Sequence, residues 1–173
     1  MRLTLIRHPP IENPRHVCYG RTERPLAPGW QRIARAWPLS GRIYCSPSAR
    51  CLTPARFAVG SASHLQVDSR LAELDFGMWE EVPWDVIPKS DLDAWARDPE
   101  NFRPGGGESV SMLQRRLMPF WQEVTGQKSD ATVVTHGGPS KILMALAEGR
   151  KWRLSDPPLL PGCVATFNIT APT

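Results

Sequence analysis

Short apolar runs of the sequence end in side chains that could bind an anion. The run LTLI near the N-terminus is followed by Arg7 and His8, and then by two prolines that prevent a strand from continuing. The run RIYC is followed by Ser46, with Arg50 four residues later, and the run ATVVT is followed by His136. Because arginine presents a planar fork of N–H donors that matches phosphate oxygens, this set predicts a phosphate pocket.

The residues after His136 strengthen this prediction. Two glycines are followed by PSKILMALAEG, which is typical of a helix with proline at its start and glycine at its end. The start of such a helix offers free backbone N–H groups and the positive end of the helix dipole. We therefore expect Gly137 to lie beside a bound anion. The alternative is that the glycines only permit a tight strand–helix turn.

A carboxylate could complete the site. The segment LAELDFGMWEE carries Glu73, Asp75, Glu80 and Glu81. Transfer of a phosphoryl group to water requires a proton for the leaving alkoxide, and a carboxylic acid can supply it. From the residues alone, a structural carboxylate paired with an arginine remains the alternative for Glu73.

These side chains need elements to position them, and apolar periodicity predicts strands that alternate with helices. Strands are expected in LTLI, RIYCS, HLQVD, ATVVTHGG and GCVATFNI. Helices are expected in PGWQRIARAWPL, SARCLTPARFAVG, ESVSMLQRRLMPFWQEVTG and PSKILMALAEG, with short helical pieces around VPWDVI and SDLDAWARD. This order predicts an α/β three-layer sandwich with a mostly parallel central sheet and helices on both faces. Ligands of such folds collect beyond the carboxyl ends of the strands.

Length and composition favour one globular unit. The chain has 173 residues, of which 41% are hydrophobic and 22% are charged. We therefore expect a single domain over residues 1–173 with a sizeable core. The sequence has no run of 18 apolar residues, and only a short apolar stretch follows Arg2. We expect no transmembrane helix, no signal peptide, no membrane partner and a cytoplasmic location.

Charge and cysteine usage narrow the classes of partner. The net charge of +4 could indicate nucleic-acid binding, but the arginines are spread along the chain, so we expect no nucleic-acid partner. The four cysteines form no C-x-x-C pair and have no histidine at zinc-like spacing. This pattern predicts reduced thiols, no metal and no other cofactor. The sequence leaves the oligomeric state open.

Five motifs resemble, in this order, those of the histidine phosphatase superfamily, which has the phosphoglycerate mutase-like fold. They are LIRH, CSPSAR, LAELDFGMWE, PGGGES and VVTHGG, and they span residues 3–138. The segment VCYGRTERPL is similar in particular to the branch that contains the α-ribazole phosphatases, which act late in cobalamin assembly. The last helix and strand also fit this family.

The resemblance implies a role for each candidate residue. It implies that His8 is the nucleophile that becomes phosphohistidine, and that Arg7, Arg50 and His136 hold the phosphoryl group. Glu73 lies at the position of the family's proton donor. The implied activity is hydrolysis of a small-molecule phosphate ester without a metal, and α-ribazole 5′-phosphate is our preferred substrate.

One departure from the family concerns the residues after His8. The family usually has a glycine there, followed two residues later by a hydroxyl side chain, whereas this chain has Pro9 and Pro10. Proline has no backbone N–H, so two donors for phosphate are missing. We expect contacts from the loop NPRHVCYG instead. His16 in that loop is either a contributor or, as we favour, a surface histidine.

Several other residues have simpler interpretations. Ser46 and Ser109 are expected to cap helices, because no G-x-S-x-G motif surrounds Ser46. His64 is expected to be exposed and without a role. Most of the seven tryptophans are expected to pack in the core or at its rim. Trp79 and Trp84 could stack on an aromatic base, but for each of them we favour packing in the core.

Two other functions compete with the phosphatase. A mutase would have to protect its phosphorylated state from water, and the family's mutases carry longer insertions than the interval between Arg50 and His136. A catalytically inactive module could bind a phospholigand in the same pocket. The complete set of candidate residues disfavours this module, and only Pro9 favours it.

Overall fold

The computed structural model describes residues 1–13, 16–60 and 65–170. Its five strands are β1 (Arg2–Arg7), β2 (Arg42–Cys45), β3 (Leu65–Val67), β4 (Ala131–Thr135) and β5 (Val164–Asn168). They form one sheet in the order β3-β2-β4-β1-β5, and every pair is parallel except β1 with β5. The predicted mostly parallel sheet is confirmed.

The main helices agree with the apolar periodicity. They are α1 (Trp30–Arg35), α2 (Ala49–Val59), α3 (Lys89–Arg97), α4 (Val110–Gly126) and α5 (Gly137–Ala147). Helix α1 is shorter than predicted, and Pro38 follows soon after its end. Helix α5 starts at Gly137, two residues before the proline that we took as its first residue.

The prediction of a short helix around VPWDVI is wrong. The structure has a turn there, in which the Val86 N–H donates to the Pro83 carbonyl. Pro83 and Pro88 bracket the segment, so a helix has no room to develop between them. His64, expected to be exposed, lies outside the described residues.

Side chains alternate across the sheet and form a core on each face. On one face, Leu3 and Leu5 of β1 belong to a buried cluster with Leu113 and Leu117 of α4. On the other face, Ile6 belongs to a cluster that includes buried residues of α1 and α2. Because β-strand neighbours point in opposite directions, one strand serves both cores. The three-layer α/β sandwich is confirmed.

Helix α4 shows how the sequence encodes burial. Its residues Leu113, Leu117, Phe120 and Val124, spaced by three or four positions, are buried and form one apolar stripe, in line with the apolar periodicity that predicts this helix. The Ser109 side chain accepts a hydrogen bond from the Met112 N–H at 3.3 Å and caps the helix, as predicted. Across the described ranges, no helix has both the length and the apolar character that crossing a membrane requires.

The sheet order brings three strand ends to one edge. Strand β4 lies between β1 and β2, with Arg7 paired to Thr135 and Cys45 paired to Val134. All three strands are parallel, so the residues that follow them emerge side by side. Each of these strands leads into one of the candidate segments.

Candidate active site

His8 follows β1 at this edge and is held by two hydrogen bonds. Its backbone N–H donates to the Thr135 carbonyl at 3.0 Å, and its Nδ1 lies 2.7 Å from the Pro9 carbonyl oxygen. A carbonyl oxygen can only accept, so Nδ1 carries the proton. In a neutral ring, Nε2 then keeps its lone pair. His8 is therefore oriented with a nucleophilic nitrogen available.

The surroundings keep His8 neutral. Burial lowers the pKa of His8 from 6.5 to about 3, and although the hydrogen bond to Pro9 opposes this shift, the charges of Arg50 and Arg7 add to it. The pKa of His136 is also well below its ordinary value, because of burial and then the charge of Arg50. An unprotonated imidazole is the form that can attack phosphorus.

His136 follows β4 and lies against His8. The centroids of the two rings are 5.3 Å apart, and their planes meet at 65°. The Ser46 Oγ lies 2.7 Å from the His136 Nε2, so the residue after β2 fixes the second imidazole. The prediction that Ser46 caps a helix is wrong: helix α2 begins after Ser48, and the Ser46 hydroxyl is aimed at His136.

Arg7 lies beside the start of α5. Its Nη1 donates to the Leu159 carbonyl at 2.9 Å. A Cβ atom on Gly137 would lie only 3.2 Å from the Arg7 Cζ, so the glycine makes room for the guanidinium. The positive charge of Arg7 thus stands at the helix N-terminus, as the strand-end pattern predicts.

Arg50 is anchored to a neighbouring loop. Its Nη1 donates to the Thr22 carbonyl at 2.8 Å, and its Nη2 donates to the Gly20 carbonyl. The Cζ atom lies 5.6 Å from the centroid of the Tyr19 ring. The Nε is buried and has no hydrogen-bond partner in the described part of the chain. This buried N–H group could donate a hydrogen bond to an anion bound at the site.

Glu73 reaches the same helix end from the loop after β3. Its Oε1 and Oε2 lie 3.1 and 3.2 Å from the Gly138 amide nitrogen. A Cβ atom on Gly138 would lie 2.5 Å from the Glu73 Oε1, so only glycine leaves space for this contact. Asp75 points elsewhere, since its carboxylate accepts from the Gly77 N–H at 2.8 Å and pairs with Arg21.

The structure thus brings the five predicted side chains together at one edge. His8, Arg50 and His136 are 1% or less exposed, and Arg7 and Glu73 flank the helix end above them. Two guanidinium groups and free helix N–H groups can neutralise a phosphoryl group, an imidazole can attack it, and a carboxyl group can exchange a proton. The arrangement is chemically complete for phosphoryl transfer, whereas the role of each residue stays a prediction.

The two prolines fix the segment after His8 through their carbonyl groups. The Pro9 carbonyl orients His8, and the Pro10 carbonyl accepts a hydrogen bond from the Ala27 N–H at 2.9 Å. The His8 carbonyl accepts from the Gly162 N–H at 2.9 Å. The segment is thereby fixed from both sides without N–H groups of its own.

The loop NPRHVCYG, from which we expect phosphate contacts, reaches the site at its C-terminal end. Residues 14 and 15 lie outside the described part of the chain, and the Asn13 side chain bonds the backbone of Val17. His16 is exposed, as favoured for a surface histidine. Tyr19 lies against Arg50 and lines the cavity, and the next residue of the loop, Gly20, accepts a hydrogen bond from Arg50.

A cavity of about 410 Å³ opens beside Arg7, Glu73 and the start of α5. Its walls are mostly apolar and include Phe76, Trp95, Leu113, Ile142 and Trp152. Phosphate itself is much smaller, so this volume is available to the group that carries the phosphate.

Trp79 packs in the core, as we favour, and the tryptophans that line the cavity are Trp95 and Trp152. Trp79 is only 7% exposed and packs in a core cluster with Cys18 and Ile87. Trp84 stacks on Trp95 with an interplanar angle of 8° and does not line the cavity. The sequence spacing around Trp79, Trp84 and Trp95 does not show which of the three rings faces the cavity. That depends on how α3 packs against the loops.

Lys141 is a site residue that the sequence analysis missed. It lines the cavity, and its Nζ donates to the Leu154 carbonyl at 2.7 Å. Burial lowers the pKa of Lys141, although the charge of Asp156 opposes the shift. Its spacing was a usable signal, since Lys141 follows Gly137 by four residues and therefore lies on the same face of α5.

Over residues 1–13, 16–60 and 65–170, no group of three His, Cys, Asp or Glu side chains is arranged to hold a metal ion. The positive charge at the strand edge comes from Arg7 and Arg50. These guanidinium groups can stabilise phosphoryl charge directly.

Comparison with known proteins assigns the family. The family model of the histidine phosphatase superfamily (branch 1) matches residues 3–171. The chain belongs to this superfamily. The predicted family and the predicted enzyme class, a histidine phosphatase, are confirmed.

Individual relatives of this histidine phosphatase carry different names. Phosphoserine phosphatase 1 of Hydrogenobacter thermophilus is 29% identical over 157 residues, which cover 83% of this chain and 74% of the relative. Three longer relatives are 29% identical over 160 residues, and this chain spans 44% of their length.

Solved structures share the fold of the phosphatase. The α-ribazole phosphatase of Shigella flexneri superposes with a TM-score of 0.83 at 23% identity, over 98% of this chain and 91% of that one. A phosphoglycerate mutase of Thermus thermophilus superposes with a TM-score of 0.74 at 29% identity, over 96% of this chain and 92% of that one.

Proposed function

We propose that this histidine phosphatase hydrolyses a phosphomonoester whose leaving group carries a flat, apolar ring, and that α-ribazole 5′-phosphate in cobalamin biosynthesis is its substrate. The observation that carries the proposal is the apolar, aromatic cavity of about 410 Å³ that opens directly beside Arg7 and Glu73. The whole chain, residues 1–173, acts as one domain, which the family match over residues 3–171 supports. The cytoplasmic location stays a prediction.

The first half of the reaction forms phosphohistidine. The His8 Nε2 attacks phosphorus in line with the leaving oxygen, and the P–O bond to the leaving group breaks. Glu73 gives its proton to that oxygen, so the product leaves as a neutral alcohol. Arg7, Arg50 and His136 stabilise the charge on the other phosphoryl oxygens.

The second half returns the enzyme to its starting state. The Glu73 carboxylate takes a proton from water, and the water oxygen attacks phosphorus. The N–P bond breaks, inorganic phosphate leaves, and the His8 Nε2 regains its lone pair. No group other than water enters the reaction, and the proton that Glu73 gave away is replaced.

The cavity walls support an apolar leaving group. Trp95, Trp152 and Phe76 present aromatic surface, and Leu113 and Ile142 add aliphatic surface. A flat ring that stacks on one tryptophan gains about 1–3 kcal/mol. A small hydroxy acid would leave most of this surface in contact with water.

Lys141 supports a second candidate, phosphoserine. Its ammonium group lines the same cavity and could pair with a carboxylate of the leaving group. A phosphoserine phosphatase is also among the relatives, at 29% identity. We rank this candidate second for two reasons. The Lys141 Nζ already donates to the Leu154 carbonyl, and the walls of the cavity are more apolar than polar.

A substrate panel tests the proposal. The measurement is kcat/KM with free phosphate as the readout, for α-ribazole 5′-phosphate, phosphoserine, 3-phosphoglycerate, AMP and a phosphopeptide. We expect α-ribazole 5′-phosphate to lead by at least about tenfold, which equals about 1.4 kcal/mol of transition-state preference. A lead of phosphoserine would replace the first candidate by the second.

The same panel addresses the mutase and the inactive module. Isomerisation of 3-phosphoglycerate in the presence of a bisphosphate primer, without release of phosphate, would identify a mutase. Binding of phosphate esters without turnover would identify a binding module. We expect phosphate release from wild type and an acid-labile phosphoenzyme that is absent in His8→Asn.

A further inference from the structure

Glu80 lies next to the site, but the reaction described above does not use it. Its carboxylate collects hydrogen bonds from a short loop: the N–H groups of Gly20, Arg21 and Thr22 donate to it at 2.9, 2.9 and 3.0 Å. The Thr22 hydroxyl and the Phe76 N–H donate to it as well, at 2.6 and 3.1 Å. Three consecutive N–H groups that point at one anion form a backbone nest.

The other side of this loop holds Arg50. The carbonyl groups of Gly20 and Thr22, whose N–H groups point at Glu80, accept the hydrogen bonds of the two Arg50 terminal nitrogens. The loop is therefore bonded to a carboxylate through its N–H groups and to a guanidinium through its carbonyls. Displacement of the loop would therefore change the orientation of the Arg50 guanidinium.

Close packing leaves the loop little freedom to take another path. A Cβ atom on Gly20 would lie 2.0 Å from the Leu74 carbonyl oxygen and 2.7 Å from the Glu80 Oε1. Glycine is therefore required where the loop meets Glu80. Arg50 itself is 1% exposed, so water cannot replace a lost carbonyl partner.

We propose that Glu80 is a positioning residue for Arg50: through the nest of residues 20–22 it sets the orientation of the guanidinium that binds the phosphoryl group. This inference rests on the proposed function, because it takes Arg50 as a phosphoryl ligand. It extends that function by assigning the last glutamate of the LAELDFGMWE motif to phosphoryl binding and not to proton transfer.

Glu108, another carboxylate near the site, provides a control. Glu108 is 6% exposed and pairs with Arg116, whose Nη2 donates to the Glu73 carbonyl oxygen at 3.0 Å. Glu108 thus supports the loop that carries Glu73, whereas Glu80 supports the loop that holds Arg50. The only ion pair between Glu108 and the nest in the described part of the chain is with the half-exposed Arg21 side chain at 3.5 Å, and such an exposed pair contributes little. Replacing Glu80 or Glu108 by glutamine therefore tests the support of the Arg50 loop and the support of the Glu73 loop separately.

The test measures vanadate affinity, since vanadate mimics the phosphoryl group in the transition state and has no leaving group. Glu80→Gln replaces one carboxylate oxygen by an amide nitrogen that cannot accept, so at least two of the five donors around Glu80 lose their partner, including at least one N–H of the nest. We expect vanadate inhibition to weaken by about 10- to 100-fold, the scale usual for outer-shell partners. Glu108→Gln should change it by less than about threefold and slow the hydrolysis of poor leaving groups instead.

A double-mutant cycle distinguishes positioning from a general structural role. Arg50→Lys keeps the positive charge but cannot bond both carbonyls, so Glu80→Gln should weaken vanadate binding by less than about threefold in that background. Thr22→Val removes one donor to Glu80 with little change in volume, and should weaken vanadate binding by a few-fold only when Arg50 is present. If Glu80→Gln does not fold, the comparison of Thr22→Val with and without Arg50→Lys replaces it.

Three outcomes overturn the inference. The first is an unchanged vanadate affinity in both Glu80→Gln and Thr22→Val. The second is a loss of affinity from Glu80→Gln that is as large in the Arg50→Lys background as in wild type. The third is a loss of affinity in Glu108→Gln equal to that in Glu80→Gln. Failure of the proposed function is a separate result, because it is read from the substrate panel with the wild-type protein, whereas this inference is read from the change in vanadate affinity between variants.

Discussion

The carboxylate of Glu73 caps helix α5, with both of its oxygens within 3.2 Å of the Gly138 amide nitrogen. The helix start that attracts phosphate therefore also holds the proposed proton donor. His136 directly precedes this helix, and Arg7 lies against its first glycine. One helix end thus holds both the proposed acid and the residues that we expect to bind the phosphoryl group.

Replacement of Glu73 by Gln keeps the shape of the side chain but removes the proton that it could donate. We expect kcat/KM to fall by about 10²–10⁴ for alkyl phosphates, whose leaving groups need a proton. The loss should be much smaller for p-nitrophenyl phosphate, whose leaving group is stable as an anion. Steady-state kinetics with both esters measure the contrast.

Asp75→Asn is the matched control for this experiment. The Asp75 carboxylate bonds the Gly77 N–H and Arg21 and does not reach α5, so its loss should affect both esters alike. An equal decrease for the two esters in Glu73→Gln would show that Glu73 has a positional role only.

The buried histidines predict that acid destabilises the fold. The pKa of His8 is about 3 in the folded protein, because of burial, and 6.5 is its ordinary value. Between these values the unfolded chain binds a proton that the folded protein excludes. The stabilisation is thus complete above about pH 6.5 and is lost as the pH falls towards 3. His136 acts in the same direction.

Urea unfolding at pH 7.5, 6 and 5 measures this effect. Each histidine contributes a slope of up to about 1.4 kcal/mol per pH unit to the free energy of unfolding. His8→Asn removes one contribution, so its free energy of unfolding should fall less steeply between pH 6.5 and 5 than that of wild type. Parallel profiles for the two proteins would contradict the assignment of a buried neutral His8.

Trp152 should determine how well an aromatic leaving group binds. It lines the cavity beside Ile142 and Leu154, so Trp152→Ala removes a surface on which a ring could stack. We expect kcat/KM for α-ribazole 5′-phosphate to fall by about 5- to 150-fold, which corresponds to about 1–3 kcal/mol. The value for phosphoserine should change much less.

Trp30→Ala is the control for general loss of a tryptophan. Trp30 packs against Phe57, and it belongs to the core cluster on the opposite face of the sheet from the Leu113 cluster. It should lower stability without changing the ratio of the two substrates. If Trp152→Ala leaves that ratio unchanged too, the aromatic wall does not select the substrate.

Activity should persist in EDTA. Arg7 and Arg50, with the N-terminus of α5, supply the positive charge that a divalent cation provides in other phosphoryl-transfer enzymes. We expect kcat/KM in excess EDTA to stay within about twofold of the untreated value. Loss of activity on chelation, with recovery on addition of Mg²⁺ or Zn²⁺, would contradict this prediction.

Much of the fold could be predicted because its signals are local. Four apolar positions in α4 recur every three or four residues, and the β1 residues alternate between the two cores, so period alone identifies these elements. The boundaries were harder to predict. Helix α1 and the turn after Pro83 depend on prolines whose effect on neighbouring residues outweighs the apolar pattern.

The sequence by itself determined which strand ends carry chemistry, since Arg7, His8, Arg50 and His136 are recognisable from residue type and from their place after apolar runs. A mostly parallel sheet then requires them to converge. Only the tertiary structure decided how they are held. Ser46 and His136 are 90 residues apart in sequence, and Gly20 and Glu80 are 60 apart. Contacts of this range depend on how whole elements pack, and no local period encodes that packing.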